Sequence, residues 1–147
     1  MAHARTQIRH AFQVALSGLP AVGANVFVSR ALSLEQTSLP AILIYSQDEQ
    51  SAAEAMGSNR PLMRGLQVIV DIVLQASAGF DDLVDNIAVD VEKAIHNNQP
   101  LMALLKELQL ASTKMSVDGH EEQLTASLRL VYEVQYWTRE ADPETII

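Results

Sequence analysis

The chain contains no cysteine. That excludes a disulfide framework, thiolate zinc sites and cysteine nucleophiles. Nor is there a run of ~20 apolar residues, the length a membrane-spanning helix needs. The N-terminus, Met1-Ala2-His3-Ala4-Arg5-Thr6-Gln7-Ile8-Arg9-His10, lacks the apolar stretch of a secretory signal. The expectation is a soluble chain, intracellular when made, with no membrane partner. Basic residues are scarce, 10 against 18 acidic ones, for a formal net charge of −8. Tight binding along a nucleic-acid backbone needs cations to displace counterions, and this balance disfavours it.

Signals for catalysis and metal binding are equally sparse. His3, His10, His96 and His120 fall in separate elements, and none has a histidine partner at ligand spacing. No Gly-x-Ser-x-Gly elbow is present, and the six glycines are too scattered to cradle a phosphate. Asp81, Asp82 and Asp85 cluster at the start of an expected helix, where carboxylates favour the positive end of the dipole. Tyr132 and Trp137 on the last strand read as core or interface rather than as a pocket. The reading is a non-enzymatic protein with no catalytic residue, cofactor or metal site.

What the chain does have is strong periodicity. Leu62, Leu66, Val68, Val70, Ile72, Leu74 and Ala76 alternate with more polar residues, the mark of a strand with one buried face. After Gly79 the period changes. Phe80, Leu83, Val84, Ile87, Val91, Ala94 and Ile95 recur at helical spacing among Asp81, Asp82, Asp85, Asp90 and Glu92. A second long alternation carries Leu124, Ala126, Leu128, Leu130, Tyr132, Val134 and Tyr136, so these two strands are expected side by side mid-sheet. At ~3.3 Å per residue each would span ~45 Å, beyond the usual strand length.

The remaining elements follow. Residues 4–16 predict a first helix with Ile8, Ala11, Phe12, Ala15 and Leu16 on its apolar stripe and Arg5, Arg9 and Gln13 opposite. Strands are expected at 22–30, 39–45 and 110–117, and one or two helical turns near Leu101–Leu108. Residues 33–38 read as irregular. Residues 47–59 read as a long polar connection, in which 52–56 has the composition of a short helix, and long connections tend to carry function. Asp118-Gly119 signals a turn, with His120, Glu121 and Glu122 lengthening it. Strands grouped rather than alternating strictly with helices predict an α+β fold, with about five strands in an antiparallel or mixed sheet and two main helices on one face. At 147 residues one domain is expected over 1–137, followed by an acidic, loose tail over 138–147.

The ordered pattern resembles the tail terminator (minor tail, tail-completion) family of long-tailed bacteriophages. The features that carry it are Ile8-Arg9 in the first helix, Arg30 after the first strand and Leu39-Pro40-Ala41-Ile42-Leu43-Ile44. They continue with the polar loop, Arg60 before the long strand, Asp81-Asp82-Leu83-x-Asp85-x-Ile87, and a final strand ending in Tyr136-Trp137. The resemblance implies a structural virion protein that assembles in the host cytoplasm into a homo-oligomeric ring, generally a hexamer. Such a ring caps the tube at the head-proximal end of the tail and ends its polymerisation. The implied partners are the major tail tube protein and head–tail connector proteins, with DNA passing the lumen without specific binding. The interface candidates are Asp48, Glu49 and Glu54 of the loop, with Arg60, Arg64 and Arg129 on or beside the long strands. A neighbouring neck or tail-completion connector, or a small α+β ligand-binding module, are the alternatives.

Overall fold

The computed structural model describes residues 2–30, 39–76, 78–120 and 123–147. Among these residues three helices, α1 (Ala4–Leu16), α2 (Phe80–His96) and α3 (Gln99–Leu104), accompany five strands. These are β1 (Val26–Phe27), β2 (Ala41–Ala53), β3 (Pro61–Ala76), β4 (Glu107–His120) and β5 (Gln123–Arg139). They form one sheet in the order β1-β2-β3-β5-β4. Only β1 pairs in parallel, so the sheet is mixed and the fold is α+β, as the patterning predicts. The two long alternating strands lie side by side mid-sheet, in register from Pro61↔Arg139 to Ala76↔Leu124.

Alternation explains which face is covered. Leu66, Val68, Val70, Ile72 and Leu74 of β3 join Ala126, Leu128, Leu130, Tyr132, Val134 and Tyr136 of β5 in a single core. The helices close it. Ala4, Ile8, Phe12 and Leu16 recur every fourth residue on α1, and Val84, Ile87, Ala88, Val91 and Ile95 form the matching stripe of α2. Gly79 before α2 has φ 73°, a left-handed conformation that suits glycine. Asp81 and Asp82 then fill the first turn, where the helix dipole favours them, and remain exposed.

The structure departs from the sequence reading at several elements; α3 ends at Leu104, and Leu108, expected in helical turns, lies in β4, which runs from Glu107 to His120 rather than over 110–117. The first strand shrinks from 22–30 to two residues, because 18–25 spend their backbone groups on turns such as Gly18 N–H to Gly23 O (2.9 Å) and Asn25 N–H to Val22 O (2.9 Å). The expected polar loop is largely strand. β2 runs on through Ala53, with a register irregularity between Ser46 and Glu49, and Glu49–Ala53 pair with Leu66–Leu62 of β3. Ala52 is therefore extended rather than helical. Asp118 and Gly119 do not turn but stay in the ladder opposite Thr125 and Leu124. The expectations for 33–38 and for Glu121 and Glu122 lie outside the described residues.

β5 continues to Arg139, past the expected boundary at 137, since Thr138 is fully buried against Arg64. The segment after it folds back on the body. Ala4 N–H donates to Pro143 O (2.9 Å), Gln7 Nε2 to Glu144 O (2.6 Å), and Ile147 N–H to Trp137 O (2.9 Å).

Candidate functional site

The far end of the sheet is where charge and exposure concentrate. Gln47, Asp48 and every residue from 50 to 59 are exposed, and Met56 at the hairpin tip is 98% exposed. The ladder holds the tip out in a fixed direction, with Glu54 N–H donating to Pro61 O (3.2 Å) where the two strands part. Asn59 takes φ 50° and its Oδ1 accepts from Ala141 N–H (2.9 Å), so the base of the tip is tied to the chain's last segment. Arg60 reinforces this tie. It donates to Glu140 through Nε (3.0 Å), Nη2 (2.7 Å) and its backbone N–H (3.1 Å). These bonds hold the Glu140 carboxyl below the usual carboxylate range.

Behind the tip sits a buried ionic cluster on the helix-facing side of the sheet. The irregularity in β2 rotates Glu49 inward beside β3, and its carboxylate takes three donors from three elements. Arg5 Nη1 of α1 approaches to 2.6 Å, Arg64 Nη1 of β3 to 3.3 Å, and the Tyr136 hydroxyl of β5 donates to the other oxygen. Arg64 also donates through Nε to Thr138 Oγ1 (3.0 Å). The side chains of Glu49 and Arg64 are only 9% and 11% exposed. A carboxylate removed from water needs such partners, because burial without them is costly. Burial, and then the bond to Glu49, push the Tyr136 hydroxyl well above its ordinary value. His3 caps α1, its Nδ1 accepting from Arg5 N–H (3.1 Å). Burial first, then the nearby Arg5 and Arg64, lower its pKa.

A second polar group lies on the sheet's opposite face. Asp71, in the middle of β3, accepts from Tyr45 Oη (3.0 Å) and Arg129 Nε (3.1 Å). Burial and Asp71 raise the Tyr45 pKa, and the bond to Asp71 raises that of Arg129. Leu43, Tyr45, Ile69 and Val73 are buried on this side too, so the face is not simply polar.

The six interface candidates therefore divide. Asp48 and Glu54 are exposed at the distal hairpin. Glu49 and Arg64 pair with each other, Arg60 with Glu140, and Arg129 with Asp71, all within the subunit. The sequence reading missed the partners Arg5, Tyr136, Thr138 and Glu140. Arg5 and Arg9, read as the outer side of α1, are half-buried against β2. Their spacing of four residues was the available signal, since it puts both on one helix face.

Among the described residues, no three metal-ligating side chains come together, and no helix is long and apolar enough to cross a membrane. The fold and the hairpin define a small α+β subunit that offers an exposed strand end to its surroundings. The model of a family described as phage minor tail protein U matches residues 3–136, so the chain belongs to that family. Membership gives it a structural role in the phage tail, among other virion proteins. No curated protein matches the chain. One of the solved structures that match is a chain of "Virion of native gene transfer agent (GTA) particle". It has 14% identity and a TM-score of 0.46, and the match covers 90% of this chain and 92% of that one.

Proposed function

We propose that the protein is a tail terminator, a non-enzymatic subunit that closes into a ring on the last ring of the tail tube. The observation that carries this reading is the distal hairpin. Residues 50–59 are exposed, Met56 offers an apolar tip, and the Glu49 cluster fixes the hairpin's direction relative to α1. A projecting, exposed strand end braced at its base is the kind of segment that carries function on a rigid scaffold. Family membership supplies the tail as the setting.

In this reading residues 1–137 form the ring subunit, and 138–147 brace the base of the hairpin through Glu140 and Ala141. The hairpin meets the major tail tube protein, and the other side of the ring, at the head-proximal end, is met by connector proteins. A closed ring, generally of six copies in the family resemblance, uses two different flanks of each subunit. A net charge of −8 suits a lumen that DNA passes without binding. Among the interface candidates, Asp48 and Glu54 are the ones free to act directly, while Glu49, Arg60, Arg64 and Arg129 act by holding the surface in shape.

The test is a tip variant, Asp48→Asn with Glu54→Gln and Met56→Ser, none of which touches the core. Tails assembled with it should lose length control while the isolated subunit melts as the wild type does. Tails of normal length would refute the assignment of the hairpin to the tube.

A further inference from the structure

The pocket on the β1 flank carries an inference that rests on the ring reading and names the surfaces that meet in it. β1 covers β2 only as far as Leu43, so beyond it the edge of the sheet opens. There Arg9, Val28, Ser29, Arg30, Ile44, Tyr45 and Ser46 line a shallow pocket of about 300 Å³. Two guanidinium groups converge on one residue: Arg9 Nη1 donates to Ser46 Oγ (2.9 Å) and Arg30 Nη2 to Ser46 O (2.5 Å). The Arg30 guanidinium also lies over the Tyr45 ring, 5.1 Å from its centroid. Among the described residues Arg9, Arg30 and Arg139 have no carboxylate partner, whereas Arg5, Arg60, Arg64 and Arg129 each do; of the three, only Arg9 and Arg30 share a pocket. Burial, and then the neighbouring Arg5 and Arg30, lower the Arg9 pKa.

The complementary charge lies on the other main helix. α1 packs over β1 and β2, whereas α2 packs over β3 and β5, toward the β4 flank. The first two turns of α2 expose Asp81, Asp82 and Asp85, and among the described residues none of them forms an ion pair. The β4 edge of the sheet exposes apolar surface at Met115 (38%) and Val117 (51%). A head-to-tail ring apposes opposite flanks of successive copies. Two copies that each carry a charge of −8 repel less where open cations meet acids at the contact.

We infer that the Arg9–Arg30 pocket on the β1 flank of one copy receives the exposed carboxylates of α2, Asp81, Asp82 and Asp85, from the next copy in the ring. Planar guanidinium groups suit this role, because each presents paired donors to a carboxylate.

Charge-swap variants of the full chain test this by sedimentation velocity, with ring shape checked by electron microscopy. Arg30→Glu, an exposed change, and the pair Arg9→Glu/Arg30→Glu should each weaken association at least about tenfold, with unchanged far-ultraviolet circular dichroism. Asp81→Arg/Asp82→Arg/Asp85→Arg should do the same. Combining both sets should restore association to within about threefold of the wild type, because each reversed flank then meets a reversed partner. Native-like rings from Arg9→Glu/Arg30→Glu, or a combined variant that is folded but stays apart, would overturn the inference. So would an Arg30→Glu variant that keeps its rings but no longer sediments with purified tail tubes, which would assign the pocket to the tube protein. A wild-type chain that forms rings neither alone nor on tubes would instead refute the ring reading itself.

Discussion

Glu49→Gln is the substitution that probes the base of the hairpin most sharply. It keeps the side chain's size and one oxygen acceptor but removes the charge that Arg5, Arg64 and Tyr136 share. The Arg5 side chain is 38% exposed, so its pairing contributes about 0–1 kcal/mol after screening by water. Tyr136 still finds an acceptor in the amide oxygen. The cost falls on Arg64, whose side chain is 11% exposed and whose guanidinium would lie buried without an opposing charge. Breaking one side of such a pair costs about 3–5 kcal/mol. Taking about 3 kcal/mol, and roughly 2–4 °C per kcal/mol for a chain of this size, the melting temperature should fall by about 6–12 °C. Thermal unfolding followed by circular dichroism measures it. A double-mutant cycle with Arg64→Met tests the cause, since removing the orphaned cation should recover part of the loss. The reasoning fails if Glu49→Gln melts within about 2 °C of the wild type, or if adding Arg64→Met costs as much in the variant as in the wild type.

Two other substitutions follow from the same geometry. His3 accepts from Arg5 N–H through Nδ1 and its folded pKa lies below 6.5, so the unfolded chain binds the proton more readily. Stability from this cap is therefore complete above about pH 6.5 and is lost as pH falls through the lowered folded value; His3→Asn, which caps without titrating, should flatten that slope in pH-dependent melts. A slope unchanged by the substitution would place the titration elsewhere. Tyr132 is fully buried and, among the described residues, its hydroxyl has no partner, while burial raises its pKa. Tyr132→Phe should leave the melting temperature unchanged or raise it, because no hydrogen bond is lost, and a loss above about 1 kcal/mol would contradict this.

The sheet was legible where one face is covered by helices. Leu66 to Leu74 and Ala126 to Tyr136 alternate because burial on one side admits only apolar residues there, and α2 repeats at helical spacing for the same reason. The far end of β2 was not legible. Gln47, Asp48, Gln50 and Ser51 are exposed, so no burial imposes a period, and the extended form comes from pairing with Leu62–Leu66 of β3. The same gap hid the site. Asp48, Glu49 and Glu54 look alike in sequence, and only the register irregularity at Ser46/Glu49 turns Glu49 inward to Arg5, Arg64 and Tyr136. Arg64 broke the even-numbered apolar row of β3, and that break marked the position where the core becomes ionic.

The central claim is that copies of this chain close on a tail tube and stop its growth. Its most direct test is electron microscopy of purified tail tube protein polymerising with and without the full-length chain. The account predicts a closed ring at one end of each tube, with the hairpin tips toward the tube, and tubes that stop elongating once the ring is seated. Bare tube ends, with growth continuing at a saturating concentration of the chain, would contradict it.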